Sequence, residues 1–261
     1  MRVAAVQFKA RPDRVVGPAT GLGDLSQLLR GRWSTGESPD LIVCPEMALA
    51  GYHWTDAEAV RRVAEALDGP LVTALGGLAQ ALSSWVVCGF PEADRDRLFN
   101  SAVVLNPRGE RVCTYRKTLL FEADEAWASP GDSGYQAIDT DVGRFGVGIC
   151  MDLNDDRFLQ WCAEADLDVI AFPTNWVQDE GSVWDYWRWR LYAGWPDDLD
   201  IAERVAERAR VDAVLVGANS YGPEGRYVLR GESAILSWRG IGATAPSSGD
   251  AVLEGRIERP T

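Results

Sequence analysis

Cys150, Lys117 and Glu46 are residue types that together can perform acyl transfer. A cysteine attacks a carbonyl or nitrile carbon as its thiolate, or while a base withdraws its proton. Cys150 follows Gly146-Val147-Gly148-Ile149, where glycine admits close backbone approach and a sharp exit from a strand. Glu46 ends the apolar run that begins at Leu41. As a base it takes the thiol proton and returns a proton to the departing nitrogen, and burial raises a carboxyl toward the neutral range such a shuttle needs. Lys117, held in a tight polar pocket, stabilises both a thiolate and the negative oxygen of a tetrahedral intermediate, and the backbone N–H of Met151 offers a second oxyanion contact. Each residue also has an ordinary reading: a buried small thiol, a solvated turn carboxylate, a surface lysine.

All three follow strand-like runs, and groups that do chemistry in α/β folds commonly sit at the carboxyl ends of strands. Residues 2–8 and 40–44 read as strands, the second a short uninterrupted apolar run suited to burial on both faces. A helix is expected around residues 22–29, with helical spacing over 56–67 and 70–82. Residues 86–90 form the next strand, followed by a charged turn at 91–98. Residues 101–105 and 111–115 flank Asn106-Pro107-Arg108-Gly109 as a hairpin. A glycine-rich strand over 142–150 ends at Cys150. A helix at 155–165, a strand at 167–172, a helix at 198–210 and strands at 213–218, 233–236 and 252–255 complete the reading. Helices alternate with strands and hairpins, which predicts a layered α/β domain with mixed sheets. Without an internal repeat or a convincing linker, residues 1–261 read as one domain.

The composition narrows the classes. The formal net charge of −13, from 39 acidic and 26 basic residues, disfavours nonspecific attraction to nucleic acid or anionic lipid. Five cysteines do not suggest a disulfide framework, and Cys44, Cys88 and Cys113 read as buried thiols. The single histidine, His53, lies close enough to Glu46 in sequence to be weighed as a neighbour of the site, and no zinc-ligand spacing occurs. The opening segment is too short for a secretion signal, and no apolar stretch is long enough to span a membrane. A reducing cytoplasmic setting is the simplest fit. Phosphate-loop motifs and the G-x-S-x-G elbow are absent from the sequence.

Three segments, CPEMALAGY at 44–52, YRKTLLFEADEAW at 115–127 and GVGICMDLN at 146–154, resemble the catalytic segments of the nitrilase superfamily, the carbon–nitrogen hydrolases, in the same order. VAAVQF near the start and the later FPTNWV and GESAILSW share the likeness, which covers roughly residues 2–240. The resemblance implies Glu46 as base, Lys117 as support for the tetrahedral intermediate and Cys150 as nucleophile. It implies a four-layer α-β-β-α sandwich that forms a homodimer or higher homo-oligomer, through the helix after Cys150 and the one near 198–210. It also singles out Glu125, placed as the second glutamate of the aliphatic amidase branch, to hold Lys117 and orient water or the substrate amide; Glu122 is its rival. No metal or organic cofactor is implied, because cysteine supplies the nucleophile and lysine the fixed positive charge.

The substrate is less legible. The segments look most like the branch of protein N-terminal amidases, so a primary carboxamide is expected, carried by an amino-terminal Asn or Gln or by a small amide. Asp152, Asn154 and Asn175 are candidates for reading polar substrate groups, with a cap or loop role open for Asp152. Met151-Asp152 stands where a nitrilase carries tryptophan and glutamate, which disfavours nitriles. The distant Arg157 fits a ureido-acid hydrolase poorly, though N-carbamoyl or secondary amide hydrolysis stays an alternative, as does a catalytically silent scaffold. Trp176 opens an aromatic-rich stretch to Trp195, which reads as core, as dimer contact, or as a wall or lid over the site.

Overall fold

Alternating burial along the first strands sorts the side chains into two layers. In β1 (Arg2–Gln7), β2 (Leu41–Val43) and β3 (Trp85–Asp94), Val3, Ala5, Leu41, Val43 and Val87 face one cluster, while Ala4, Val6, Ile42, Val86 and Cys88 face another. Opposite faces of one sheet therefore bury against different partners, as a period of two demands. The computed structural model describes residues 1–9, 18–177, 180–194 and 211–258.

The first sheet runs β14-β1-β2-β3-β4-β5, with β4 (Arg97–Leu105), β5 (Arg111–Arg116) and β14 (Ala251–Arg256). Its centre, β1-β2-β3, is parallel and its flanks are antiparallel. The second sheet runs β13-β12-β9-β8-β7-β6, from β6 (Ala137–Thr140), β7 (Gly143–Val147), β8 (Val169–Thr174), β9 (Val214–Asn219), β12 (Ala234–Ser237) and β13 (Gly240–Thr244). It repeats the plan, with a parallel β7-β8-β9 centre. A separate hairpin joins β10 (Tyr221–Glu224) to β11 (Tyr227–Arg230).

The two sheets pack face to face, β1 against β9 and β2 and β3 against β8. Helices α1 (Pro18–Arg32) and α3 (Pro70–Leu82) cover the outer face of the first sheet through Leu25, Leu29, Leu71 and Leu75. Helices α5 (Asp156–Glu164) and α6 (Val183–Tyr192) cover the outer face of the second through Phe158, Leu159, Trp187 and Leu191. The result is a four-layer α-β-β-α sandwich. Two short helices, α2 (Ala57–Arg61) and α4 (Glu122–Glu125), lie in the connections. Among the described residues, no helix is long and apolar enough to cross a membrane.

Some expectations shift. The charged stretch 91–98 is not one long turn: β3 and β4 continue through it and only Arg95-Asp96 turns, with Arg95 at φ 54°. The charges there are used inside the sheet, since buried Glu92 accepts from Ser101 and pairs with Arg116. The strand expected over 142–150 stops at Val147, and Cys150 instead heads a 3-10 helix, Cys150–Asn154. The helical spacing at 56–67 yields only α2, because Glu65 leaves to bond the backbone of Pro91 and Ala93. The helix expected at 198–210 lies outside the described residues.

Candidate active site

Four strand ends deliver the site. After β2 the chain turns sharply at Pro45-Glu46, with Met47 in the left-handed region at φ 49°. The turn lies directly on β3: Gly89 N–H donates to the Pro45 carbonyl (3.1 Å) and Ala48 N–H donates to the Gly89 carbonyl (3.0 Å). A Cβ on Gly89 would meet Glu46 Cα, Met47 N and the Pro45 carbonyl at 2.6 Å, all backbone atoms that cannot swing away. Gly89→Ala is therefore expected to displace Glu46, costing about 1–3 kcal/mol of stability and at least tenfold in turnover. Urea unfolding and product release measure the two; wild-type values for both would mean that the turn has room to move.

Glu46 and Lys117 are fully buried. Lys117 follows β5, with its N–H bonded to the Asn100 carbonyl and its own carbonyl accepting from Gly131. Its Nζ donates to Glu46 Oε1 (2.7 Å) and to Asp124 Oδ2 (2.6 Å), so one ammonium sits between two buried carboxylates. Asn100 Nδ2 bridges the same pair, donating to Glu46 Oε1 (2.7 Å) and Asp124 Oδ1 (2.9 Å). Tyr52 OH donates to Asp124 Oδ1 (3.0 Å), and Asn175 N–H donates to Glu46 Oε2 (2.7 Å). Charges this deep persist only when paired and hydrogen-bonded, and here each is.

Cys150 sits at φ 48°, a left-handed conformation that costs a non-glycine residue about 1–3 kcal/mol and is tolerated where surrounding contacts impose it. Burial pushes its thiol up to about 12, and the charge of Glu46 adds to this while Lys117 opposes it. Burial also raises the Glu46 carboxyl, against the pull of Lys117. Burial works against the Lys117 charge, but Asp124 and Glu46 outweigh it and hold the ammonium well above its ordinary value. Cys150 forms part of the wall of a cavity of about 400 Å³ together with Phe121, Met151, Asn154, Asn175, Trp176, Val177 and Tyr186.

Of the substrate-facing candidates, Met151, Asn154, Asn175 and Trp176 line this cavity. Asn154 Oδ1 accepts from Tyr186 OH at 2.8 Å, which ties α6 to the cavity rim. The aromatic stretch divides: Trp187 is core, Trp176 and Tyr186 form cavity wall, and Trp189 is exposed. Trp195 lies outside the described residues.

Two candidates are corrected. Asp152 does not face the cavity. It is buried and accepts from the backbone N–H groups of Ile149 (2.8 Å), Thr118 (3.1 Å) and Leu119 (2.8 Å) and from Tyr115 OH (2.8 Å). With its acceptors so occupied, it clamps the Lys117 segment to the Cys150 segment; burial pushes its carboxyl up to about 6 against those amides. Glu125 does not hold Lys117. It is exposed, as is Glu122, which bonds Arg226 and Tyr227 instead. The single turn of α4 points Asp124 inward and Glu122 and Glu125 outward. Glu125→Gln is accordingly expected to leave turnover within about twofold of wild type, whereas Asp124→Asn lowers it about a hundredfold by loosening Lys117. Equal losses from the two substitutions would return the role to Glu125. His53 stands apart from the cluster: its Nδ1 lies 3.3 Å from Glu224 Oε2, beside a second cavity of about 270 Å³.

Asp124, Asn100 and Tyr52 were not singled out from sequence. Signals for two of them exist: Asp124 precedes buried Trp127 by three residues and so shares its face, and Asn100, with Ser101, interrupts an otherwise apolar strand interior.

The carbon–nitrogen hydrolase family model matches residues 2–260. A Pseudomonas protegens protein named "hydrolase in pqqF 5'region" is 33% identical over 176 residues, 67% of this chain, which spans only 59% of that protein. The protein N-terminal amidase of Schizosaccharomyces pombe is 24% identical over 291 residues, covering 99% of this chain and 96% of that one. Among solved structures, a glutamate-to-glutamine mutant of the amidase of Nesterenkonia sp. AN1, with the acetamide moiety of fluoroacetamide added covalently at its active-site cysteine, aligns with TM-score 0.73 and 21% identity. That alignment covers 100% of this chain and 90% of that one, and it shows the shared fold. With a family match over nearly its whole length and the four-layer sandwich in place, this chain belongs to the carbon–nitrogen hydrolases, the nitrilase superfamily.

Proposed function

We propose that the protein hydrolyses a primary carboxamide to a carboxylate and ammonia through a thioester on Cys150. One observation carries the reading: Lys117, locked between Glu46 and Asp124, and the Cys150 thiol share one buried electrostatic unit that opens on an apolar cavity. The Nesterenkonia amidase, whose active-site cysteine carries the acetamide moiety of fluoroacetamide as a covalent adduct, supports the cysteine as nucleophile.

In the resting site the Cys150 thiol keeps its proton and Glu46 faces the Lys117 ammonium. The substrate carbonyl oxygen accepts from Lys117 Nζ, whose third N–H is not spent on Glu46 or Asp124, and from Met151 N–H at the start of the 3-10 helix, where amides lack intrahelical acceptors. Sulfur attacks carbon as Glu46 takes the thiol proton. Collapse of the tetrahedral intermediate breaks the carbon–nitrogen bond while Glu46 returns that proton to nitrogen, and ammonia leaves. Water then attacks the thioester with Glu46 as base, freeing the carboxylate and restoring the thiol. Asp124 holds Lys117 in place throughout.

A small amide with an apolar acyl group suits walls made by Phe121, Met151, Trp176 and Val177. Amino-terminal Asn or Gln is the second reading, favoured by the similarity to the S. pombe protein N-terminal amidase along 99% of the chain. The same proposal takes residues 1–261 as one domain that pairs with a second copy, a state sedimentation measures directly. The test of function is a panel of phenylacetamide, butyramide, Asn- and Gln-leading peptides and ureido acids, with products and the Cys150 peptide read by mass. Ammonia without carbon dioxide, and an acyl increment on Cys150, are expected. Carbon dioxide alongside ammonia would make it a ureido hydrolase; no turnover and no acylation across the panel would leave a silent scaffold.

A further inference from the structure

Asn175 leaves the end of β8 and grips Glu46 twice. Its backbone N–H donates to Glu46 Oε2 (2.7 Å), and its side-chain Nδ2 donates to the Glu46 carbonyl oxygen (2.9 Å). The second bond fixes the side-chain amide, because a carbonyl only accepts and the nitrogen must face it. Oδ1 is therefore turned away from that bond. It is buried and has no hydrogen-bond partner among the described residues, although Asn175 borders the cavity beside Cys150. A buried carbonyl left unmatched is costly, and in a site its natural complement is a ligand's N–H.

We propose that Asn175 Oδ1 accepts an N–H from the nitrogen of the scissile carboxamide, so that Asn175 selects amides over groups of the same shape that carry no N–H. The inference rests on the amidase reading. With the substrate oxygen on Lys117 and Met151, the NH2 group lies on the opposite side of the carbonyl carbon, and one of its hydrogens meets Oδ1. That bond sets the plane of the amide. When the nitrogen becomes pyramidal in the tetrahedral intermediate, its new lone pair must face the proton held by Glu46. Asn175 grips Glu46 and the leaving group together, so one residue aligns the proton donor with its acceptor. Nitriles, esters and ketones offer Oδ1 nothing, and a site built around a substrate N–H rejects analogues that lack it.

Binding to the Cys150→Ala protein tests this without turnover. Phenylacetamide and phenylacetone differ only by NH2 against CH3. Calorimetry is expected to give at least about tenfold tighter binding of the amide, and adding Asn175→Ala is expected to bring the ratio below about threefold. A purely structural role for Asn175 would weaken both ligands alike and leave the ratio standing. Equal affinities in the Cys150→Ala protein, which need no Asn175 variant to fold, overturn the proposal, as does a ratio that survives Asn175→Ala. Ammonia release by the wild-type protein is a separate measurement. Loss of the amide preference leaves the amidase reading intact, while tight, Asn175-dependent amide binding without ammonia release sinks that reading alone.

Discussion

Lys117→Met is expected to lose turnover by about a thousandfold or more, and to become less stable than wild type by a margin that widens as pH rises. Methionine nearly fills the volume but leaves no cation where Nζ stood within 2.7 Å of Glu46 and 2.6 Å of Asp124. Catalysis loses the positive charge that meets the developing oxyanion. Stability suffers separately, because Glu46 and Asp124, both buried and both bonded to Asn100, now face each other uncompensated. Removing one partner of a buried ion pair costs about 3–5 kcal/mol. Glu46 recovers part of this by binding a proton in the ammonium's place. It already sits above its ordinary value with Lys117 present, so without the ammonium its affinity for protons rises further. Carboxyls raised in the folded state leave stability present in acid, and it is lost as pH climbs from the ordinary carboxylate range, about 4, through the raised value. Urea unfolding at about pH 5, 6, 7 and 8 measures the difference from wild type. A difference that stays flat across that range would mean that the two carboxylates do not depend on Lys117 for compensation.

What the sequence disclosed and what it hid follow from how each residue is held. Glu46, Lys117 and Cys150 could be singled out as candidates because each follows an apolar or strand-like run, and strand ends are where α/β sheets present side chains. Cys44 and Cys88 sit in the outer core as their apolar surroundings suggested, while Cys113 is only half buried. Asp124 was hidden by Glu122 and Glu125 on either side. Three acids in one helical turn look interchangeable in a string, and only the turn of α4 against Trp127 separates the inward one from the outward two. Asp152 was left between a substrate contact and a cap or loop role for a related reason. A carboxylate two residues from the nucleophile suggests substrate contact, but the 3-10 helix folds it back onto the amides of Thr118, Leu119 and Ile149. β6, β10, β11 and β13 were missed because they are short or half exposed and carry no apolar run. Asn100 could not be assigned a role at all, since its two acceptors come from segments 54 and 24 residues away.

Glu46→Gln is expected to move two properties of the site in opposite directions. Turnover falls by about a thousandfold or more, because a carboxamide cannot take the thiol proton, return it to the leaving nitrogen or activate water. The Cys150 thiol, by contrast, becomes easier to ionise. In the wild-type site burial is the largest influence holding the thiol near 12; the negative charge of Glu46 adds to it, and the Lys117 ammonium opposes both. Glutamine removes the Glu46 charge and leaves burial and the ammonium, since Asp124 still anchors Lys117. The thiolate is the charged form, so taking away a neighbouring negative charge favours it and the thiol titrates below its wild-type position. Iodoacetamide alkylation of Cys150, followed across about pH 7 to 11, is therefore expected to begin its rise at lower pH and to run faster at each pH in Glu46→Gln than in wild type, although the variant scarcely turns over. A profile that stayed put or moved to higher pH would mean that the sulfur does not feel the Glu46 charge. A carboxylate too remote to be felt is also too remote to take the thiol proton, and the shuttle would then need another base.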